Sequence, residues 1–92
     1  MHCKKVLPNA ALPFKASSFT LLPGETSDRD AHQVPELWIL LEGTGILASG
    51  NAEIPLCRTS VVFFPPWVPH QITAKGGEPL TVLNLWWPEV IE

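Results

Sequence analysis

Asp30, His32 and Glu36 fall within the stretch Asp30-Ala31-His32-Gln33-Val34-Pro35-Glu36, and one distant histidine, His70, is their natural partner. In an extended segment side chains alternate between faces, so positions 30, 32 and 36 project to the same side. One imidazole and two carboxylates converging on one face are a donor set for a divalent metal. The same residues would also make a solvated polar turn leading into a strand, since short acidic and histidine clusters are common on surfaces. His70 is approached through Pro65, Pro66 and Pro69, which fix φ at three of the five preceding positions. A stiff turn that sets an imidazole at the start of a strand suits a ligand held on a rigid element. Taken alone, the same turn is read first as an edge strand closed by prolines, with the histidine incidental.

The elements that must position these residues read as strands and turns. Ten prolines and six glycines are spread along 92 residues, and no segment holds a helical period. Strands are expected at Ser18 to Leu22, Leu37 to Leu41, Ile46 to Ser49, Ala52 to Leu56, Val61 to Phe64, His70 to Ala74 and Leu80 to Trp87. Gly50-Asn51 reads as a two-residue hairpin turn, because both types tolerate positive φ. Leu37 to Leu41 is a continuous apolar run, read as a buried strand. Trp38 and Leu40 share parity with Glu36 and are expected beside it in the interior. Cys57 reads as a small buried apolar residue. Short strands at regular intervals imply an antiparallel sandwich or barrel. The chain is one domain, residues 18–92, preceded by an N-terminal segment, residues 1–17, that serves as an edge strand or arm.

Composition excludes several classes of partner. A net charge of −3, with no basic cluster beyond Lys4-Lys5, argues against nucleic acid. The apolar run of Leu37 to Leu41 is far too short to span a membrane, and prolines break the N-terminal stretch as a signal peptide. Two cysteines in unrelated contexts point to the reducing cytoplasm rather than a disulfide framework. The chain contains no tyrosine and therefore no phenolic acid or base. The small core, the few charges and the exposed edges of a short barrel point to a homodimer. Trp86 and Trp87 have opposite parity, so at least one should lie outside the barrel.

With these residues in view, the chain resembles the cupin superfamily from about Ser18 to Pro88. Its first motif runs G-x5-H-x-H-x3-E-x6-G, and Gly24, Asp30, His32, Glu36 and Gly43 keep every spacing, with Asp30 in place of the first histidine. In the second, G-x5-P-x-G-x2-H-x3-N, the corresponding places hold Thr59, Pro65, Trp67, His70 and Ala74. The resemblance implies an all-β, double-stranded β-helix, a jelly-roll-like β-barrel. It implies that Asp30, His32, Glu36 and His70 point inward to hold one divalent metal, for which Fe, Mn, Zn and Ni are all compatible. Trp38, Leu40 and Trp67 would then line a pocket for a small-molecule ligand. Two functional classes follow, since fold alone does not choose between them. One is a metal-dependent enzyme of dioxygenase, isomerase or lyase type. The other is a non-catalytic cupin that binds a small, sugar-like ligand for sensing or storage.

Overall fold

Runs of β-branched and aromatic residues, punctuated by Pro and Gly, form strands because their side chains pack on a pleated surface. The computed structural model describes residues 14–87, in which seven strands appear. They are β1 (Lys15–Leu21), β2 (Glu36–Glu42), β3 (Gly45–Ser49), β4 (Ala52–Leu56), β5 (Val61–Phe64), β6 (His70–Ala74) and β7 (Leu80–Trp86). β1 takes in residues 15–17 of the segment read as an arm, and residues 1–13 lie outside the described residues. Among the described residues no helix is long and apolar enough to cross a membrane.

The strands build two antiparallel sheets, β1-β7-β2-β5 and β4-β3-β6. The loop after β1 extends the second sheet without being a strand itself. Its backbone bonds to β6 at Gly24, Glu25, Ser27 and Asp30, the last a reciprocal pair with His70 at 3.1 and 2.8 Å. Inward positions of both sheets meet in an all-β core in which Leu47, Ile72, Leu80 and Val82 are fully buried. Gly43, the last glycine of the first motif, has φ 84°, and a Cβ there would lie 2.5 Å from the Pro79 carbonyl oxygen. Only glycine fits that corner.

Two readings of the sequence need correction. The run Leu37 to Leu41 is not buried on both faces: its even positions are inside, Leu37 and Ile39 are half-buried, and Leu41 is 41% exposed. Apolar residues on both faces made an alternating strand look continuous. Cys57 is exposed, not buried. β4 ends at Leu56, which points inward, so Cys57 falls on the outer side and opens a turn closed by the Ser60 N–H on its carbonyl at 2.9 Å.

The second motif's two glycine places keep their backbone shape although glycine is gone from both. Thr59 has φ 75° and Trp67 φ 68°, the two positive-φ non-glycine residues among those described. Each is held there by its N–H, Thr59 to the Leu40 carbonyl at 2.9 Å and Trp67 to the His32 carbonyl at 2.6 Å. Left-handed backbone costs a β-branched or bulky residue about 1 kcal/mol or more. Thr59→Gly should therefore stabilise the fold by about 1 kcal/mol, a rise of roughly 4–8 °C in Tm for a domain of this size. Thermal unfolding checks this, and a lowered Tm would show that the threonine side chain compensates its own strain.

Candidate metal centre

The inward face of the first sheet carries polar residues at one end, where an apolar core would otherwise continue. Glu36 opens β2, Asn84 lies near the end of β7, and Trp38 pairs with Asn84 in the register. Glu36 is buried at 5% exposure, a position a carboxylate occupies only when its oxygens are spoken for. Its Oε2 accepts two hydrogen bonds, from Trp38 Nε1 at 2.9 Å and Asn84 Nδ2 at 3.1 Å. The Asn84 amide is itself oriented by the Ser17 hydroxyl, which donates to Oδ1 at 2.7 Å. A row of side chains from β1 through β7 to β2 thus pins one oxygen and leaves the other free to turn inward.

That other oxygen, Oε1, faces His70 Nε2 at 3.1 Å and His32 Nε2 at 3.8 Å. His70 enters from the opposite sheet, is 3% exposed, and stacks on Phe64 with ring centroids 4.0 Å apart. Trp38 meets the same imidazole edge to face at 5.1 Å. Its Nδ1 lies 3.0 Å from the Val68 carbonyl, which can only accept, so the proton of the neutral ring sits on Nδ1. Nε2 then presents a lone pair to a carboxylate oxygen. With the proton on Nδ1, the buried Glu36 Oε1 and His70 Nε2 face each other at 3.1 Å as two acceptors, neither with another hydrogen-bond partner among the described residues. Two buried acceptors facing each other need a cation between or beside them, either a proton or a metal.

Electrostatics of the pair follow. Burial opposes charge on Glu36, yet contact with His70 and the donors Trp38 and Asn84 hold its pKa below the ordinary 4.5. Burial likewise opposes charge on His70, but the Glu36 carboxylate, the Val68 carbonyl and the more distant Asp30 carboxylate raise it above 6.5.

Ligand atoms of His32, Glu36 and His70 lie within 4.8 Å of one another, a geometry that fits one metal ion. Asp30 is not in that group; its main chain, rather than its carboxylate, is tied to His70. The extended path assumed for residues 30–36 is interrupted by a bend at Gln33-Val34. His32 remains within reach but is 48% exposed at its side chain. A cavity of about 190 Å³ adjoins the cluster, lined by His32, Val34, Glu36, Asn84 and Trp86. Trp38 touches the site through its indole, and Leu40 lies in the core below. Trp67 is 65% exposed on the turn before His70 and is not among the cavity's lining residues. Sequence reasoning missed Asn84, Trp86 and Phe64. Asn84 carried a signal, since it shares the inward parity of Leu80 and Val82, where an amide needs a partner.

The sequence profile of the family described as Cupin domain matches residues 17–87. The chain is also similar to a Cupin 2 conserved barrel domain protein from Salinispora arenicola, at 31% identity and a TM-score of 0.79, covering 87% of this chain and 67% of that one. A protein from Photorhabdus luminescens superposes with a TM-score of 0.81 over 88% of this chain and 68% of that one; at 20% identity it speaks for the fold alone. An uncharacterized protein from Methanocaldococcus jannaschii is 30% identical over 53 residues, which make up 58% of this chain and 42% of that protein. This chain thus matches less than half the length of that relative.

Proposed function

The chain belongs to the cupin domain family, and on that premise we propose that it holds one divalent metal ion on His32, Glu36 and His70 and presents it to a small organic molecule. The observation that carries this reading is the pair of buried, partnerless acceptors, Glu36 Oε1 and His70 Nε2. Two imidazoles and one carboxylate leave coordination positions open, a set compatible with Fe, Mn, Zn or Ni. A bound ion would supply Lewis acidity or, if redox-active, reactivity toward dioxygen. The chain's own residues do the positioning. Trp38 and Asn84 hold Oε2 so that Glu36 offers Oε1, while Phe64 and the Val68 carbonyl fix the ring plane and tautomer of His70. Val34 and Trp86 give the cavity an apolar wall.

The cavity, about 190 Å³, equals the share of roughly six liquid waters. That is room for a small organic molecule. Beyond the metal-binding cluster the lining offers Val34, Asn84 and Trp86, with no further acid or base. This favours, as a second reading, a cupin that binds a small ligand without turning it over. Cys57, free and exposed, fits a reducing compartment such as the cytoplasm.

Elemental analysis of the chain purified without added metal should find about one divalent ion per chain. Oxygen uptake with panels of small hydroxy acids, keto acids and phenols then separates the two readings. Metal with turnover on one class supports an enzyme; metal without turnover on any supports the binding protein. No metal, and none taken up on addition, would refute both.

A further inference from the structure

One row of side chains crosses the first sheet at the end where the metal cluster lies. In register, Lys15 on β1 pairs with Trp86 on β7, and Trp86 pairs with Glu36 on β2. Directly opposed residues of an antiparallel pair share a face, and Glu36 and Trp86 both line the cavity. Lys15 therefore starts from the inward side of the sheet, as does Ser17 two residues on, whose hydroxyl donates to Asn84 at 2.7 Å. The row reads ammonium, indole, metal-binding carboxylate. We propose that Lys15 sets the specificity of this site, holding the far carboxylate of a small dicarboxylic acid whose near end meets the metal. The inference rests on the metal reading above and adds to it the class of ligand.

Charge and spacing both select that ligand. Lys15, Arg29, Arg58 and Lys75 are the Lys and Arg side chains among the described residues. Arg58 lines a cavity with Glu42 and Gly43, at the other end of β2 from Glu36, and Lys75 follows the far end of β6. Arg29 stands in the loop after β1, on the second sheet, between Asp28 and Asp30. Lys15 alone belongs to the sheet that carries Glu36. Among the described residues the ion pairs are those of Glu36 with His32 and His70, so the exposed Lys15 ammonium is uncommitted. An anionic group reaching past the metal would otherwise meet Val34, Trp86 and an Asn84 amide already engaged by Glu36 and Ser17. Lys15 and Glu36 are two strands apart, about 10 Å between main chains at about 4.8 Å per strand. The flexible lysine stem closes part of that gap from one side, and Glu36 with its ion closes part from the other. A chain of about five carbons at ~1.5 Å per bond, laid over the Trp86 indole, bridges what remains.

Calorimetry on the Mn-loaded full chain, with glutarate and its monoamide glutaramate as probes, is the test. The two probes differ in the charge of one end. Glutarate should bind at least ~10-fold more tightly, the worth of one hydrogen bond between charged groups. Lys15→Met keeps an apolar stem and loses the ammonium, so the ratio of the two affinities should fall toward unity with metal content unchanged. Lys15→Arg should restore the preference, and Arg29→Ala should leave it as in the parent chain. Equal binding of the two probes by the parent chain, no binding of either, or a preference that survives Lys15→Met overturns the proposal while the metal stays bound. Metal content measured before any probe is added separates that result from failure of the metal reading. A parent chain that holds no metal, and takes up none, refutes that reading and this proposal with it.

Discussion

His70→Ala is expected to empty the proposed metal site, while Asp30→Ala should weaken it only modestly. His70 is buried, faces Glu36 Oε1 at 3.1 Å, and has its ring plane and tautomer set by Phe64 and the Val68 carbonyl. Its removal takes away a preorganised donor and leaves the Glu36 charge without its nearest counterpart. Metal content should fall from about one equivalent to near zero, since a site reduced to one imidazole and one carboxylate binds weakly. His32→Ala should also lose the ion, because it leaves the same reduced set, although its half-exposed side chain makes the substitution milder for the fold. Asp30 contributes its main chain to the pairing with His70 and its carboxylate from a distance. Asp30→Ala keeps the main-chain bonds, so its effect should be the ~10–100-fold typical of a group outside the ligand set. Asp30→His restores the ligand type of the family motif and should bind at least as well. Metal analysis of the four folded proteins decides: equal losses for Asp30→Ala and His70→Ala would make Asp30 a full ligand, and no loss in any would remove the site.

Metal affinity and apo-protein stability should respond to pH in opposite directions. Imidazoles coordinate only when neutral, so two histidine ligands bring two competing protons. With two such protons competing, the apparent affinity at low pH falls toward ~100-fold per pH unit. His70 is raised above 6.5 by the Glu36 carboxylate despite its burial, so its competition begins at a higher pH than an ordinary histidine would set. Glu36 is held below 4.5 despite its burial and stays ionised through this range. Without metal the signs reverse for His70. Its raised pKa stabilises the fold fully below 6.5, and that contribution is lost as pH rises through the folded-state value. The lowered pKa of Glu36 stabilises above 4.5 and is lost as pH falls through its folded-state value. The metal-free chain should therefore be most stable between 4.5 and 6.5, and metal should raise Tm far more at pH 8 than at pH 5.5. Thermal unfolding with chelator and with added Mn at the two pH values tests this. A metal-induced rise in Tm that is equal at both would mean that His32 and His70 are not ligands.

Much of this architecture was legible before any coordinates. Period-two alternation placed Glu36, Trp38 and Leu40 on one face, and they are 5%, 4% and 2% exposed. Gly50-Asn51 marked the β3–β4 hairpin, and six of the seven strands differ from their expected bounds by no more than one residue at either end. These features are local: a turn type or an alternation is set by a few neighbouring residues. What depends on pairing between distant strands was not legible. Asn84 reaches Glu36 because β7 lies beside β2 in one particular register. The same pairing sets Leu83 and Leu85 beside Leu37 and Ile39, so that alternating strands add up to one apolar outer face. Asp30 stays outside the His32–Glu36–His70 group although its main chain pairs with His70, because a bend at Gln33-Val34 interrupts the extended path between it and Glu36. Sequence alone determined which residues could face inward together, because side-chain direction repeats every two residues in any strand. Only the tertiary structure decided that Glu36 meets His70 across the sandwich with two bare acceptors, because that distance is set by how two sheets pack, and neither sheet encodes it alone.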